Sequence, residues 1–299
     1  MNGWRNLIVT SDVRLKLLNN NIHLVRQDGT ITLPITDIDA IIIENSSGTI
    51  SIPLLCRLAE LGVLLIVVGR NYLPVGVFLP YDMNTSSSLL LFSQLELKEP
   101  FKKRIWQKIV RKKIENCANT LELLDKPGSQ TLLQIASEVR SGDTGNRESC
   151  AAKIYFKILD PNFKRFSNSP ISAALNYGYA ITRSLVARSL VASGLHCELG
   201  VGHRSKTNPF NLADDFNEVF RAFVDYLVFS NPPDGDLTTE YKTYLATVLK
   251  MECYLENKVY TVSTAAVRIA QLYASAVKTK NFRLLSLPDF KEVSFRTYE

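Results

Sequence analysis

The hydrophobic rhythm of the chain changes once, near residue 85. Before that point, short apolar runs alternate with turn residues. Leu7-Ile8-Val9 is the first run, and 13–17 and 22–25 flank the turn signal Asn19-Asn20-Asn21. Gln27-Asp28-Gly29 then precedes 30–33, and Pro34 ends that run. Residues 38–44 are strongly β-branched, and 63–68 and 75–79 are apolar again. Runs of this length between Asn, Asp, Gly and Pro clusters predict strands. Residues 53–61 are the exception: Leu54, Leu55, Leu58 and Leu61 share one side of a predicted helix, and Gly62 stops it.

After residue 85 the apolar positions recur at helical spacing. In 100–124, Trp106, Val110, Ile114, Cys117 and Leu121 form one stripe. Further helices are expected over 130–140, 147–159, 171–193, 212–229 and 238–250. A hairpin is expected around Glu256-Asn257, and a last helix, capped by Ser263, runs to about 279. The tail 281–299 is expected to drape on the surface and to order in a complex. The division predicted is a β domain over 1–84, a linker over 85–96 introduced by the short polar stretch 82–88, and a helical domain over 97–299.

Composition adds three constraints. A hydrophobic share of 46% and a charged share of 21% are those of an ordinary globular protein. Residues 63–68, the most apolar stretch, are too short to span a bilayer, and Trp4, Arg5 and Asp12 break any secretory pattern, so a cytoplasmic protein without a membrane segment is expected. Five scattered cysteines without a CxxC pair speak against a disulfide framework and a cysteine zinc site. The net charge of +6 is uneven: residues 1–96 hold 6 Lys+Arg against 8 Asp+Glu, so the basic excess lies in the second part. Seven basic residues fall within 102–113, among them Arg111, Lys112 and Lys113. They form either a solvated outer face or a face that contacts phosphates.

Candidate chemistry gathers in two segments. Residues 203–221, HRSKTNPFNLADDFNEVFR, join a histidine to three carboxylates. Asn211 is the expected N-cap, Asp214 a helix-start acid, and Asp215 and Glu218 share a helix face. On 147–159, Glu148 falls on one stripe with Ala151, Tyr155 and Ile158, so it points toward the packed side and calls for a metal or an arginine as its partner. Glu148, with His203 and Asp215 or Glu218, would suit Mg²⁺ or Mn²⁺ better than zinc. Capping acids and a structural histidine are the plainer alternative. His23 lies within a strand, and His196 has apolar neighbours.

Ordered motifs narrow this. Asn146-Arg147-Glu148 with Ala151-Ala152 and Tyr155-Phe156, then Leu175-Asn176-Tyr177-Gly178-Tyr179, then His203 and the run from Asn208 to Asp215 with Glu218 and Phe220-Arg221, resemble the CRISPR adaptation integrase/endonuclease family (Cas-one). Gly3-Trp4-Arg5 is similar to members from type II systems. The resemblance implies an α+β fold: a small N-terminal β-sandwich that forms a homodimer, followed by a larger all-α catalytic domain. It implies Glu148, His203 and Glu218 as catalytic metal ligands, Asp215 as a candidate second acid, and Mg²⁺ or Mn²⁺ as cofactor. It also implies double-stranded DNA and the small adaptation protein (Cas-two) as partners. The implied reaction is insertion of short DNA fragments into a CRISPR array by 3′-hydroxyl attack on a phosphodiester. Lys206, Arg221 and Tyr179, with Arg111, Lys112 and Lys113, are candidate DNA or phosphate contacts; Lys206 and Arg221 are equally candidate partners of the nearby acids. Ser149, Val219 and Ala222 depart from the glycine and prolines that often stand at those places. Two other functions use the same residues: a stand-alone metal-dependent nuclease on branched or damaged DNA, and a non-catalytic DNA-binding scaffold.

Overall fold

The computed structural model describes residues 3, 5–44, 47–69, 74–80, 86–162 and 169–296. Trp4 of the type II-like start and part of the 82–88 stretch lie outside the described residues. Residues 1–83 and 84–297 form two compact units.

The first unit holds β1 (Arg5–Val9), β2 (Arg14–Leu18), β3 (Asn21–Arg26), β4 (Gly29–Pro34), β5 (Ile38–Ile43), β6 (Thr49–Ile50), α1 (Ile52–Leu61), β7 (Leu64–Val68) and β8 (Pro74–Phe78). The predicted strands all form. Asn19 and Asn20, both at positive φ, make the two-residue turn that pairs Leu18 with Asn21. One four-stranded sheet has the order β1-β5-β7-β8, with β1, β5 and β7 parallel. The other has the order β4-β3-β2-β6. Val9, Ile38, Ile41 and Leu65 of the first sheet, Leu15, Ile22 and Leu24 of the second, and Leu54 and Leu58 of α1 share one core. Gly62 ends α1 in the left-handed region, φ 66°, as its position after the leucine stripe predicts.

The second unit holds α2 (Ser87–Leu95), α3 (Glu99–Leu123), α4 (Ser129–Ser137), α5 (Arg147–Leu159), α6 (Pro170–Ala192), α7 (Asn211–Asn217), α8 (Arg221–Ser230), α9 (Thr239–Ala246), a hairpin of β9 (Glu252–Leu255) and β10 (Lys258–Thr261), and α10 (Val262–Thr279). Four expectations are corrected. The stretch 85–96 is not an open linker. It contains α2, held because Leu90 and Gln94 are buried and Gln94 exchanges hydrogen bonds with the backbone of His196. The single helix expected over 212–229 is two helices. At the junction Phe220 N–H bonds the Asn217 carbonyl three residues back, tightening the chain by one residue. α10 is capped by Thr261, which forms a capping box with Thr264, and not by Ser263, which is buried inside the helix. The tail does not drape loosely. Leu285 and Phe290 are buried, and the Phe290 ring lies 4.2 Å from that of Phe223.

α3 is the central member. Val110, Ile114, Cys117 and Leu121 pack with Leu132 and Ile135 of α4 and with Ala151, Tyr155 and Leu159 of α5. Among the described residues, no helix is long and apolar enough to cross a membrane.

Candidate active site

α5 presents Glu148 from its first turn. The Asp143 carboxylate accepts from the N–H groups of Arg147 (2.9 Å) and Glu148 (3.1 Å), satisfying donors that a helix start leaves open. Asn146, just outside, takes a left-handed conformation, φ 48°. Glu148 is then fixed relative to α3 by Lys113, whose Nζ lies 2.6 Å from Glu148 Oε1.

Glu218 follows α7, where the helix axis breaks. Its side chain is 4% exposed and meets two cations: Lys113 Nζ at 2.5 Å from Oε2, and Arg221 Nη2 at 3.0 Å from Oε1. Burial raises its pKa, but Arg221 and then Lys113 outweigh this and hold the carboxyl down at about 2. Oε2 is buried and, although it touches Lys113, makes no hydrogen bond of good angle.

His203 is placed by a loop that only small residues permit. A Cβ on Gly200 would stand 2.2 Å from the His203 carbonyl oxygen, and one on Gly202 would stand 2.3 Å from the Trp106 ring. The loop wraps around Asp215, which is fully buried. Asp215 accepts from the backbone N–H groups of Val201 (2.5 Å), Gly202 (3.1 Å) and His203 (2.8 Å), and from His203 Nδ1 (2.8 Å). With Nδ1–H spent on Asp215, the lone pair of Nε2 is the one left to a ligand. The same hydrogen bond, ahead of the opposing effect of burial, raises the histidine's pKa. The Trp106 ring meets the imidazole edge-on at 5.6 Å. Asp215 therefore orients the histidine, and the carboxylate left beside Glu148 is Glu218.

The remaining expected residues divide. Arg221 pairs with Glu218, and its guanidinium lies 4.8 Å from the centre of the Tyr179 ring. Tyr179 and Tyr155 both donate to Asp225, a carboxylate in the apolar face of α8. Burial raises the Asp225 pKa to about 6, although both tyrosines oppose the shift. Lys206 is exposed on the 203–210 loop. Asp214 lies in the first turn of α7, as expected, and also makes a two-bond pair with Arg183 at 2.5 and 3.0 Å and accepts from Asn208. Asn211 is not the N-cap. It lies within α7, where its side chain bonds Ser205 and the Glu198 carbonyl and so closes the histidine loop.

On α3, the three basic candidates are internally engaged. Arg111 Nε donates to the Ala136 carbonyl, Lys112 pairs with Glu115 and Asp289, and Lys113 lies in the site itself. Sequence reasoning missed Asp225, Trp106 and the placement of Lys113. Only Asp225 left a signal, as the one acid in the otherwise apolar run from Ala222 to Phe229 apart from the half-buried Tyr226.

In this arrangement, no three His, Cys, Asp or Glu side chains among the described residues converge tightly enough to hold a metal ion. In kind, though not in their present spacing, the donors suit one. Two carboxylates already grip a single cationic atom, one buried oxygen lacks a good hydrogen bond, and the histidine nitrogen on the open side is an acceptor.

Residues 7–260 match the model of the family described as CRISPR associated protein Cas1. Over 303 residues the chain is 39% identical to the CRISPR-associated endonuclease Cas1 of Neisseria meningitidis serogroup C (strain 8013), covering 99% of each. Its fold is similar to that of a casposase bound to an integration product, with a TM-score of 0.75 at 18% identity over 93% of this chain and 91% of that one. It is also similar to a chain of a Cas6-RT-Cas1–Cas2 complex, with a TM-score of 0.71 at 18% identity over 98% of this chain and 36% of that one.

Proposed function

Because the chain belongs to the CRISPR associated protein Cas1 family, we propose that it is a metal-dependent DNA integrase and endonuclease of CRISPR adaptation. It inserts short DNA fragments into the array through attack of a 3′-hydroxyl on a phosphodiester. The observation that carries this reading is the meeting of Glu148 and Glu218 on one cation beside a histidine whose outer nitrogen is kept free by Asp215. Mg²⁺ or Mn²⁺ held by Glu148, His203 and Glu218 would activate the attacking hydroxyl and offset charge on the transferring phosphate.

The protein's own groups do the positioning. Asp215, locked by three backbone amides, keeps His203 in one tautomer and one orientation. Arg221 is held by Glu218 and Tyr179, so its charge is fixed before a phosphate arrives and needs no reorganisation during the reaction. Asp225 holds Tyr179, and through it the guanidinium. The partners are double-stranded DNA, as fragment and as repeat, and the small Cas2 protein. The likeness of this fold to a chain solved in a Cas6-RT-Cas1–Cas2 complex supports the second. A homodimer formed through a sandwich of the two N-terminal sheets, in the cytoplasm, completes the proposal.

The test supplies the protein and its Cas2 partner with Mn²⁺, a short duplex bearing 3′-hydroxyl ends and a repeat-containing plasmid. Joined products are expected, and Glu148→Ala abolishes them. Full joining by Glu148→Ala overturns the site. Cleavage without joining favours the stand-alone nuclease, in which water replaces the 3′-hydroxyl. Binding with neither reaction favours the scaffold.

A further inference from the structure

Lys113 is one of three adjacent basic residues that are candidate phosphate contacts, yet its ammonium ends between two carboxylates of the candidate site. Its ammonium reaches Glu148 Oε1 at 2.6 Å and Glu218 Oε2 at 2.5 Å, while its side chain is 14% exposed. These are the two carboxylates that the function above assigns to the metal. One ammonium therefore spans acids from α5 and from the α7–α8 junction, which stand 70 positions apart in the chain. It is a cation in the place where a cation is needed. A divalent ion needs the same two oxygens, and two positive centres cannot share them.

We propose that Lys113 is a built-in counter-ion that keeps the metal's place, and that metal binding and withdrawal of its ammonium are a single event. This rests on the metal reading given above. Two consequences follow from the geometry. The unit folds without the metal, because the two carboxylates never face one another unneutralised. The measured metal affinity is lowered by the work of breaking Lys113's charge-assisted contacts. Lys113 is rooted on α3, where Ile114 and Asn116 are buried in the core, so its backbone is fixed and the side chain alone must move. The outlet is the Glu148 side, since that side chain is 30% exposed against 4% for Glu218.

Mn²⁺ titration of the full chain without DNA, followed by calorimetry and by the rise in melting temperature, tests this. Lys113→Met is expected to bind Mn²⁺ about tenfold more tightly than the unaltered protein, the worth of one charge-assisted hydrogen bond. It is also expected to gain more melting temperature on saturation. Lys113→Gln, which can still hydrogen-bond both acids, keeps the test open if the Met variant does not fold, and is expected to shift in the same direction. Lys113→Arg, which keeps the charge, is expected to bind no more tightly than the unaltered protein. Mn²⁺ binding by the unaltered protein that is equal or weaker in Lys113→Met and Lys113→Gln overturns the inference and leaves the metal site standing. Absence of Mn²⁺ binding in all four proteins, or binding that survives Glu148→Gln unchanged, overturns the metal reading and this inference with it.

Discussion

The two units bury different kinds of side chain. Among the described residues, every buried polar or charged side chain lies in the helical unit, including Arg188, Asp215, Glu218, Asp225 and Lys242. The sheet unit's buried side chains are apolar: Ile22, Ile35, Ile41, Leu54 and their neighbours. Removal of apolar surface from water stabilises the first kind of interior at any pH. The second kind is favourable only while each charge keeps its partner. The helical unit thus carries an electrostatic liability that the sheet unit avoids. Most of that liability is gathered where chemistry is proposed.

The largest effect should come from unpairing the buried charges. Glu218→Ala leaves Lys113 with one partner and Arg221 with none at that end, and is expected to destabilise the helical unit by about 4 kcal/mol. Denaturant unfolding followed by hydrogen exchange in α8 reads it. A loss under about 1 kcal/mol would show that water reaches the pair and would blur the contrast. Ile41→Ala, fully buried in β5, should cost the sheet unit about 3 kcal/mol. The same cost at pH 5 and pH 8, read by exchange of the β5 amides, sharpens the comparison; a pH-dependent cost breaks it.

The smallest effect separates two acids within the helical unit. Asp225, raised to about 6 by burial, is favoured by folding in its protonated form. That contribution is complete below the ordinary carboxylate range near 3.8 and is lost as pH rises through about 6. Glu218, held at about 2 by Arg221 and Lys113, has the opposite slope: its contribution is present above about 4.5 and is lost only as pH falls through about 2. Between pH 4.5 and 7, stability measured against Asp225→Asn should therefore fall by about 2 kcal/mol in the unaltered protein. A flat difference would mean that Asp225 is ionised throughout and balanced by Arg221.

The strands were legible because their signals are local. Asn19-Asn20 specifies a hairpin, and β-branched runs specify its neighbours. Glu148, His203 and Glu218 were legible as types and as motif members. What they do to one another was not. The chain gave no local reason for Lys113 to meet Glu148 and Glu218 while Lys112 meets Glu115 and Asp289, since that depends on where α5, α8 and the tail cross α3. By spacing alone Asp215 and Glu218 were two acids three apart on one helix, and only the family resemblance favoured Glu218 as the ligand. They differ because a loop closed by two glycines delivers amide N–H groups to one, and a break in the helix delivers a lysine and an arginine to the other. No Gly or Pro marks that break. It follows from tertiary packing of Phe220 and Phe223, both fully buried.

The docked tail has a consequence for folding kinetics. Asn116 on α3 donates to the Pro288 carbonyl and accepts from the Phe290 N–H, across separations of 172 and 174 residues. Lys108 and Lys112 find the Leu285 carbonyl and Asp289 on the same strap, which also bridges β9 at Tyr254. In equilibrium such distance is cheap, because each doubling of loop length costs only about 0.6 kcal/mol. In time it is not, because contacts so remote in sequence form late. Until residues 285–290 arrive, the central helix has a buried amide and Lys108, and α8 has the Phe223 ring, waiting for their partners. Closure of this strap is therefore expected among the last steps in completing the helical unit.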